Sequence, residues 1–181
     1  MKTKYLEKTQ IPEGIKCTFE DNLLVCQKDQ IFLERKIIIP KVKITVSGNE
    51  ISFSSEKGNK IEFKIIKACM AHIKNIFDGL QNKFTYTLEA CNVHFPMTLK
   101  VEKNKLVINN FLGEKIPRYA KILPTVNVEI KGQKITVSAH SKELAGQTAA
   151  NIEKATKVRN RDRRVFQDGI YLTEKPGEKH G

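Results

Sequence analysis

Val126-Asn-Val128-Glu-Ile130-Lys-Gly132-Gln-Lys-Ile135-Thr-Val137 alternates apolar and polar residues on both sides of a glycine turn. That is the pattern of two short strands folded back on each other with one buried face. The pattern also stands 84 positions earlier, where Val42, Ile44, Val46, Gly48, Ile51 and Phe53 fall under Val126, Val128, Ile130, Gly132, Ile135 and Val137, and Pro40 falls under Pro124. Ser47-Gly48-Asn49 and Lys131-Gly132-Gln133 supply the positive φ that a tight hairpin turn needs. Upstream of each copy lies a further hairpin pattern: Ile15 to Val25 is matched, apolar under apolar, by Met97 to Val107 at an offset of 82.

Helical periodicity follows each glycine hairpin. Ile66, Met70, Ile73, Phe77 and Leu80 recur at spacings of four, three, four and three, a stripe that faces a sheet, with Asp78-Gly79 near its end. Ser141 can cap a second helix through Leu144, Thr148, Ile152 and Ala155. Its stripe is thinner, and small Gly146, Ala149 and Ala150 permit close approach either to the sheet or to an RNA backbone. The expected fold class is therefore α+β: two duplicated domains, each a small, mostly antiparallel sheet packed by one helix. The domains are expected at 1–82 and 83–181, joined near Gln81-Asn82-Lys83 without a long linker.

The chain has 181 residues, a formal net charge of +12 and 40% hydrophobic residues, a globular composition whose charge favours a polyanionic partner. Up to Asn82 there are 14 basic and 10 acidic residues, a balance of +4; beyond it 18 and 10 give +8, so the second half is the expected binding half. No apolar run approaches the roughly 20 residues of a membrane span, and no signal-peptide core follows Met1, which points to a cytoplasmic address and no membrane partner. Cys17, Cys26, Cys69 and Cys91 form no close pair in sequence and have no histidine at finger spacing. Core thiols are expected rather than zinc or a disulfide framework. His72, His94, His140 and His180 stand beside no nucleophile motif, and phosphate-loop and dinucleotide fingerprints are missing, so no catalytic residue, metal or cofactor is expected. A free-standing RNA-processing enzyme would need clustered acids or a histidine pair. A membrane-surface or acidic-protein adaptor would instead bind anionic lipid.

The densest charge lies late. Lys154, Lys157, Arg159, Arg161, Arg163 and Arg164 face the lone acid Asp162, and four of the chain's six arginines fall within Arg159–Arg164. A charge run is ordinarily a solvated face. Arginine in a chain that otherwise prefers lysine favours phosphate instead, because the planar fork binds it bidentately. Phe166, flanked by Val165 and Ile170, is expected to anchor the stretch in the second core, the stretch itself being a C-terminal extension beyond the second helix. The polar run from Asn109 to Lys121 is expected as a loop whose Lys115, Arg118 and Lys121 reach phosphate or sugar, or else as a plain connection. Gln147 and Asn151, one turn apart, complete the candidate RNA-contacting set.

Ile11-Pro-Glu-Gly14, Ala71-His-Ile-Lys-Asn75, His94-Phe-Pro-Met97, Asn110-Phe-Leu-Gly-Glu-Lys115, Gln147-Thr-Ala-Ala-Asn-Ile-Glu153 and Arg163-Arg-Val-Phe-Gln-Asp-Gly-Ile-Tyr171 occur in this order. Together they resemble the family of ribosomal protein six of the large subunit, in its archaeal and eukaryotic branch, over nearly the whole chain. The resemblance implies a structural, non-enzymatic component of the cytoplasmic ribosome. It further implies binding to large-subunit ribosomal RNA, mainly through the second domain, near the sarcin-ricin loop where translation factors dock and beside other large-subunit proteins. Tyr119 departs from the family, which usually carries a second basic residue after Arg118; Cys91-Asn-Val93 is also unusual, and the tail after Lys175 is expected to lack order.

Overall fold

The computed structural model describes residues 3–162 and 164–177. The tail residues 178–181 lie outside the described residues. Up to Asn82 the chain runs β1 (Thr3–Gln10), β2 (Lys16–Glu20), β3 (Leu23–Lys28), β4 (Ile31–Lys36), β5 (Lys43–Ser47), β6 (Glu50–Gly58) and α1 (Lys60–Gln81). From Lys83 it runs β7 (Phe84–Cys91), β8 (Thr98–Glu102), β9 (Lys105–Asn109), a 3-10 turn at Phe111–Gly113, β10 (Arg118–Lys121), β11 (Asn127–Lys131), β12 (Lys134–Ala139), α2 (Lys142–Ala155) and β13 (Gly169–Glu174). The chain divides into two compact units, Met1–Asn82 and Lys83–Gly181.

The fold is α+β and repeated at the level of strand pairing. In the first unit β6 lies between β1 and β5, and β3 between β2 and β4; in the second β12 lies between β7 and β11, and β9 between β8 and β10. All these ladders are antiparallel. Each half thus holds two small sheets rather than the single one expected. Both glycine hairpins form, with Gly48 at φ 56° and Gly132 at φ 62°, a region where a side chain would meet the backbone. Only β13 lacks a counterpart among the described residues: it adds to the free edge of β7.

α1 follows its stripe. Ile66, Ile73, Phe77 and Leu80 are buried with Ile76, whereas Met70 is half-buried, and the helix continues through Gly79 to Gln81. They pack with Leu24, Cys26, Ile51 and Phe53 into the first core, each fully buried side chain contributing about 1.5–3 kcal/mol before entropy is subtracted. Asn59 starts the helix. Its side chain accepts from the Ile61 and Glu62 amides while the Glu62 carboxylate accepts from the Asn59 amide, a reciprocal cap.

In α2 the Ser141 hydroxyl accepts from the Leu144 amide at 3.4 Å, as its sequence leads one to expect. The buried face is shifted, however: Ala145, Thr148, Ala149 and Ile152 point inward, while Leu144 and Ala155 are half-buried. Small residues win because α2 packs against β7, β10, β12 and β13 together, and alanines let the helix axis approach. At Gly146 an added Cβ would stand 3.0 Å from the Tyr86 hydroxyl, so this glycine too serves packing.

Two further expectations change. Arg118–Lys121 is not loop but strand, pairing Arg118 with Ile108 and Lys121 with Lys105, because Ala120 alternates into the core beside Ile122. The cysteines, apart in sequence, include a pair in space: Cys17 faces Cys26 across β2 and β3 with sulfurs 2.9 Å apart. Hairpin register does this, since Cys17 stands three residues before Glu20 and Cys26 three after Leu23, the pair that flanks the turn. All four cysteines are free thiols.

Candidate nucleic-acid interface

The basic stretch is a loop held at both ends, not an extension. At its start Thr156 ends α2, buried, with its hydroxyl accepting from the Ile170 amide of β13 at 2.9 Å, and Val158 is buried two residues later. At its far end Asp168 is fully buried. Its carboxylate accepts from the amides of Val93 and His94 at 3.3 and 3.2 Å and pairs with His94 Nδ1 at 2.7 Å. Burial alone would raise the Asp168 pKa, yet the His94 ring and the backbone amides together hold the carboxyl below the usual aspartate value. A buried charge is retained because both carboxylate oxygens have hydrogen-bond partners.

Between these anchors the chain turns on Asp162, whose carbonyl accepts from the Val165 and Phe166 amides and whose carboxylate accepts from the Arg164 amide at 2.9 Å. Asn160, at φ 56°, supplies the left-handed residue that reverses direction. Phe166 is half-buried against the second core, stacked on His94 with ring centroids 5.2 Å apart, and the Arg161 guanidinium lies over its ring at 4.7 Å. Ile170 shares that core, but Val165 is 57% exposed and takes no part in the anchor. Gln167 closes the loop on itself, donating to the Arg164 carbonyl, while its own carbonyl accepts from the Tyr171 hydroxyl at 3.0 Å.

Lys154, Lys157, Arg159, Arg161 and Arg164 are all exposed, and none has an ion-pair partner among the described residues. Arg163 lies outside the described residues. A shallow cleft of about 330 Å³ joins Lys154 and Arg159 with Arg118, Tyr119 and Ala155. Exposed lysine and arginine at the C-terminal turn of α2 and along the loop that follows present cations to solvent, with Arg161 also lying over Phe166 and helping to lower the Glu114 pKa.

Arg118, expected to reach phosphate or sugar, is engaged within the second unit. Its fork donates to both Glu114 oxygens at 2.7 and 2.6 Å and its Nη1 donates to the Ala155 carbonyl at 3.0 Å, while the guanidinium lies 4.2 Å over the Phe111 ring. A second bond from Nη1 to the Lys157 carbonyl is longer, at 3.4 Å. Arg118 therefore satisfies the last carbonyl of α2 and holds that of Lys157 just beyond it, which sets the direction in which the chain leaves the helix. Hydrogen bonding from this arginine outweighs partial burial and lowers the Glu114 pKa.

The remaining candidates are scattered around this centre. Gln147 donates to the Asn151 side chain at 2.9 Å, and Asn151 donates to the Lys121 carbonyl at 3.2 Å, a chain that joins α2 to β10 and leaves the Lys121 ammonium exposed. Lys115 is exposed in the connection after the 3-10 turn. Tyr119, 54% exposed, carries the Lys105 ammonium 4.4 Å over its ring, so a cation stands there although the residue itself is aromatic. The spacing of residues pointed to neither Thr156 nor the pair His94 and Asp168. The pair spans 74 positions, and only its two short motifs hinted at a shared purpose.

Comparison with known proteins gives a consistent result. The family model described as Ribosomal protein L6 matches residues 95–169, which span β8 through the loop to the first residue of β13. The "Large ribosomal subunit protein uL6" of Methanobrevibacter smithii is 40% identical over 169 residues, covering 93% of this chain and 95% of that one. The protein of the same name from Methanococcus vannielii is 37% identical over 172 residues, with 95% and 94% covered. That of Methanosarcina mazei is 40% identical over 166 residues, with 92% and 94% covered.

Proposed function

Because the chain belongs to the ribosomal protein L6 family, in its archaeal branch, a structural and non-enzymatic family of the large ribosomal subunit in the cytoplasm, we propose that its second unit binds ribosomal RNA through the loop between α2 and β13. The observation that carries this reading is the mismatch between how firmly the loop is held and how little its cations are used. Thr156 and Asp168 fix both ends, while Lys154, Lys157, Arg159, Arg161 and Arg164 stay exposed without ion pairs among the described residues. An array anchored at both ends binds phosphates with less loss of loop entropy than a disordered basic tail would suffer.

The resemblance supports a finer assignment: ribosomal RNA near the sarcin-ricin loop, in the region where translation factors dock, with neighbouring large-subunit proteins completing the surroundings. Lys121, joined through its carbonyl to the Gln147–Asn151 pair, extends the candidate set, Lys115 and Arg163 add to it by sequence, and Arg118 acts from within by holding the end of α2. The test is a binding series on a large-subunit RNA fragment from low to moderate salt. Replacing Arg159, Arg161 and Arg164 together by alanine should reduce the salt slope by about 0.7–0.9 for each phosphate that is no longer neutralised. A wild-type slope in a folded triple variant would reduce the loop to a solvated face.

A further inference from the structure

We propose that Cys17 and Cys26 form an oxidation site: a cross-strand dithiol in the first unit that a low-molecular-weight disulfide converts into an intramolecular disulfide. The register places the two residues directly opposite each other on β2 and β3. Asp21 and Asn22, at φ 49° and 62°, form the two-residue turn between Glu20 and Leu23, and both values suit the tight turn whose twist matches the strands. In such a hairpin the pair beside the turn exchanges hydrogen bonds and pairs alternate from there, so Cys17 and Cys26, three steps on, form a non-hydrogen-bonded pair. Its α-carbons stand about 4.5 Å apart, inside the range of about 4.4–6.8 Å that disulfides occupy. The sulfurs are already 2.9 Å apart, so side-chain rotation without backbone movement brings them to bonding distance.

Access is asymmetric, which sets the order of events. Cys17 is half-buried on an edge strand and Cys26 fully buried in the middle strand of its sheet. The hydrogen bond from Cys26 favours the Cys17 thiolate, while the same bond and burial hold the Cys26 thiol protonated. The Cys17 thiolate attacks one sulfur of the small disulfide, forming a mixed disulfide and expelling one small thiolate, which takes up the proton Cys17 gave. The Cys26 sulfur then attacks Cys17 Sγ, losing its proton to the second small thiolate as that leaves. Two protein thiols are oxidised, one small disulfide is reduced to two thiols, and the β2–β3 hairpin is covalently closed.

The full chain is incubated with oxidised glutathione at neutral pH, quenched in acid, alkylated and weighed. Two of the four thiols should disappear with no glutathione retained, and cleavage after Glu20 should leave the Cys17 and Cys26 peptides linked until reduced. Cys69→Ser and Cys91→Ser should lose two thiols as the wild type does. Cys17→Ser should lose none and Cys26→Ala only one, held as a glutathione adduct on Cys17 that nothing resolves, with circular dichroism showing that each remains folded; should Cys26→Ala unfold, Cys17→Ser and the linked peptides suffice. At a fixed glutathione ratio, the disulfide-to-dithiol ratio should be on the order of tenfold or more higher in the folded chain than in urea. In the wild type, four remaining thiols, a stable glutathione adduct on Cys17, pairing with Cys69 or Cys91, or an equal ratio in urea would each overturn the proposal.

Discussion

Asp168 carries more of the basic loop's geometry than any arginine in it, because one buried carboxylate ties the loop's end to the backbone of Val93 and His94 and to the His94 ring. Replacing Asp168 by asparagine removes the charge: its amide oxygen can still accept from Val93 and His94, but an NH2 then stands where the carboxylate oxygen met His94 Nδ1, and the loss of the charged acceptor should cost about 1–3 kcal/mol. The pH dependence has a defined sign. The native carboxyl titrates below its unfolded value, so its ionised form stabilises the fold at neutral pH. That contribution persists down to the unfolded aspartate value near pH 4 and is lost as the pH falls through the lower native one. Melting temperatures of wild type and Asp168→Asn should therefore lie furthest apart near neutrality and converge in acid; a constant gap down to about pH 3 would contradict the assignment. Arg118→Ala should behave unlike the exposed arginines: without its bonds to Ala155 and Glu114, thermal stability should fall along with RNA affinity. For Arg159→Ala or Arg164→Ala the expected change is in affinity alone, and Lys at these positions should recover only part of it.

At the level of elements, the second unit has one strand more than the first among the described residues, and this strand, β13, is attached through two kinds of bond. Its ladder to β7 is ordinary, with a register shift between Leu172 and Glu174, but its entry depends on the Thr156 hydroxyl that receives the buried Ile170 amide. Thr156→Val keeps the shape and leaves that amide without an acceptor, an expected cost of about 1–3 kcal/mol. Hydrogen exchange should show it first at Ile170, and RNA affinity should fall although no cation is changed. On the first unit the matching test concerns the start of α1: Asn59→Ala removes the reciprocal cap with Glu62 and should destabilise by about 1 kcal/mol, visible as a lower urea midpoint with RNA binding unchanged.

On the scale of the whole molecule, two units with separate cores are expected to fold separately, and binding should follow the charge. Fragments 1–82 and 83–181 should each give cooperative unfolding, with only the second binding the RNA fragment with a steep salt dependence; equal binding by both would count against a division of labour. Much of this was legible in the chain. Alternating apolar residues, glycine turns and a helical stripe repeat at offsets of 82 and 84, and such patterns are local, so the duplicated α+β plan, the Ser141 cap and the more basic second half needed no tertiary information. The resemblance added the ribosome, which no periodicity could. Even the Cys17–Cys26 pair was implicit once the turn at Asp21-Asn22 was placed. What the sequence did not yield depends on contacts between distant segments: His94 with Asp168, β13 beside β7, Arg118 at the end of α2, and the alanine face of that helix. An arginine has the same local signature whether its fork meets phosphate or a helix's last carbonyls. The burial and partners that distinguish the two are set by strand register and helix approach, and these exist only when the chain has folded.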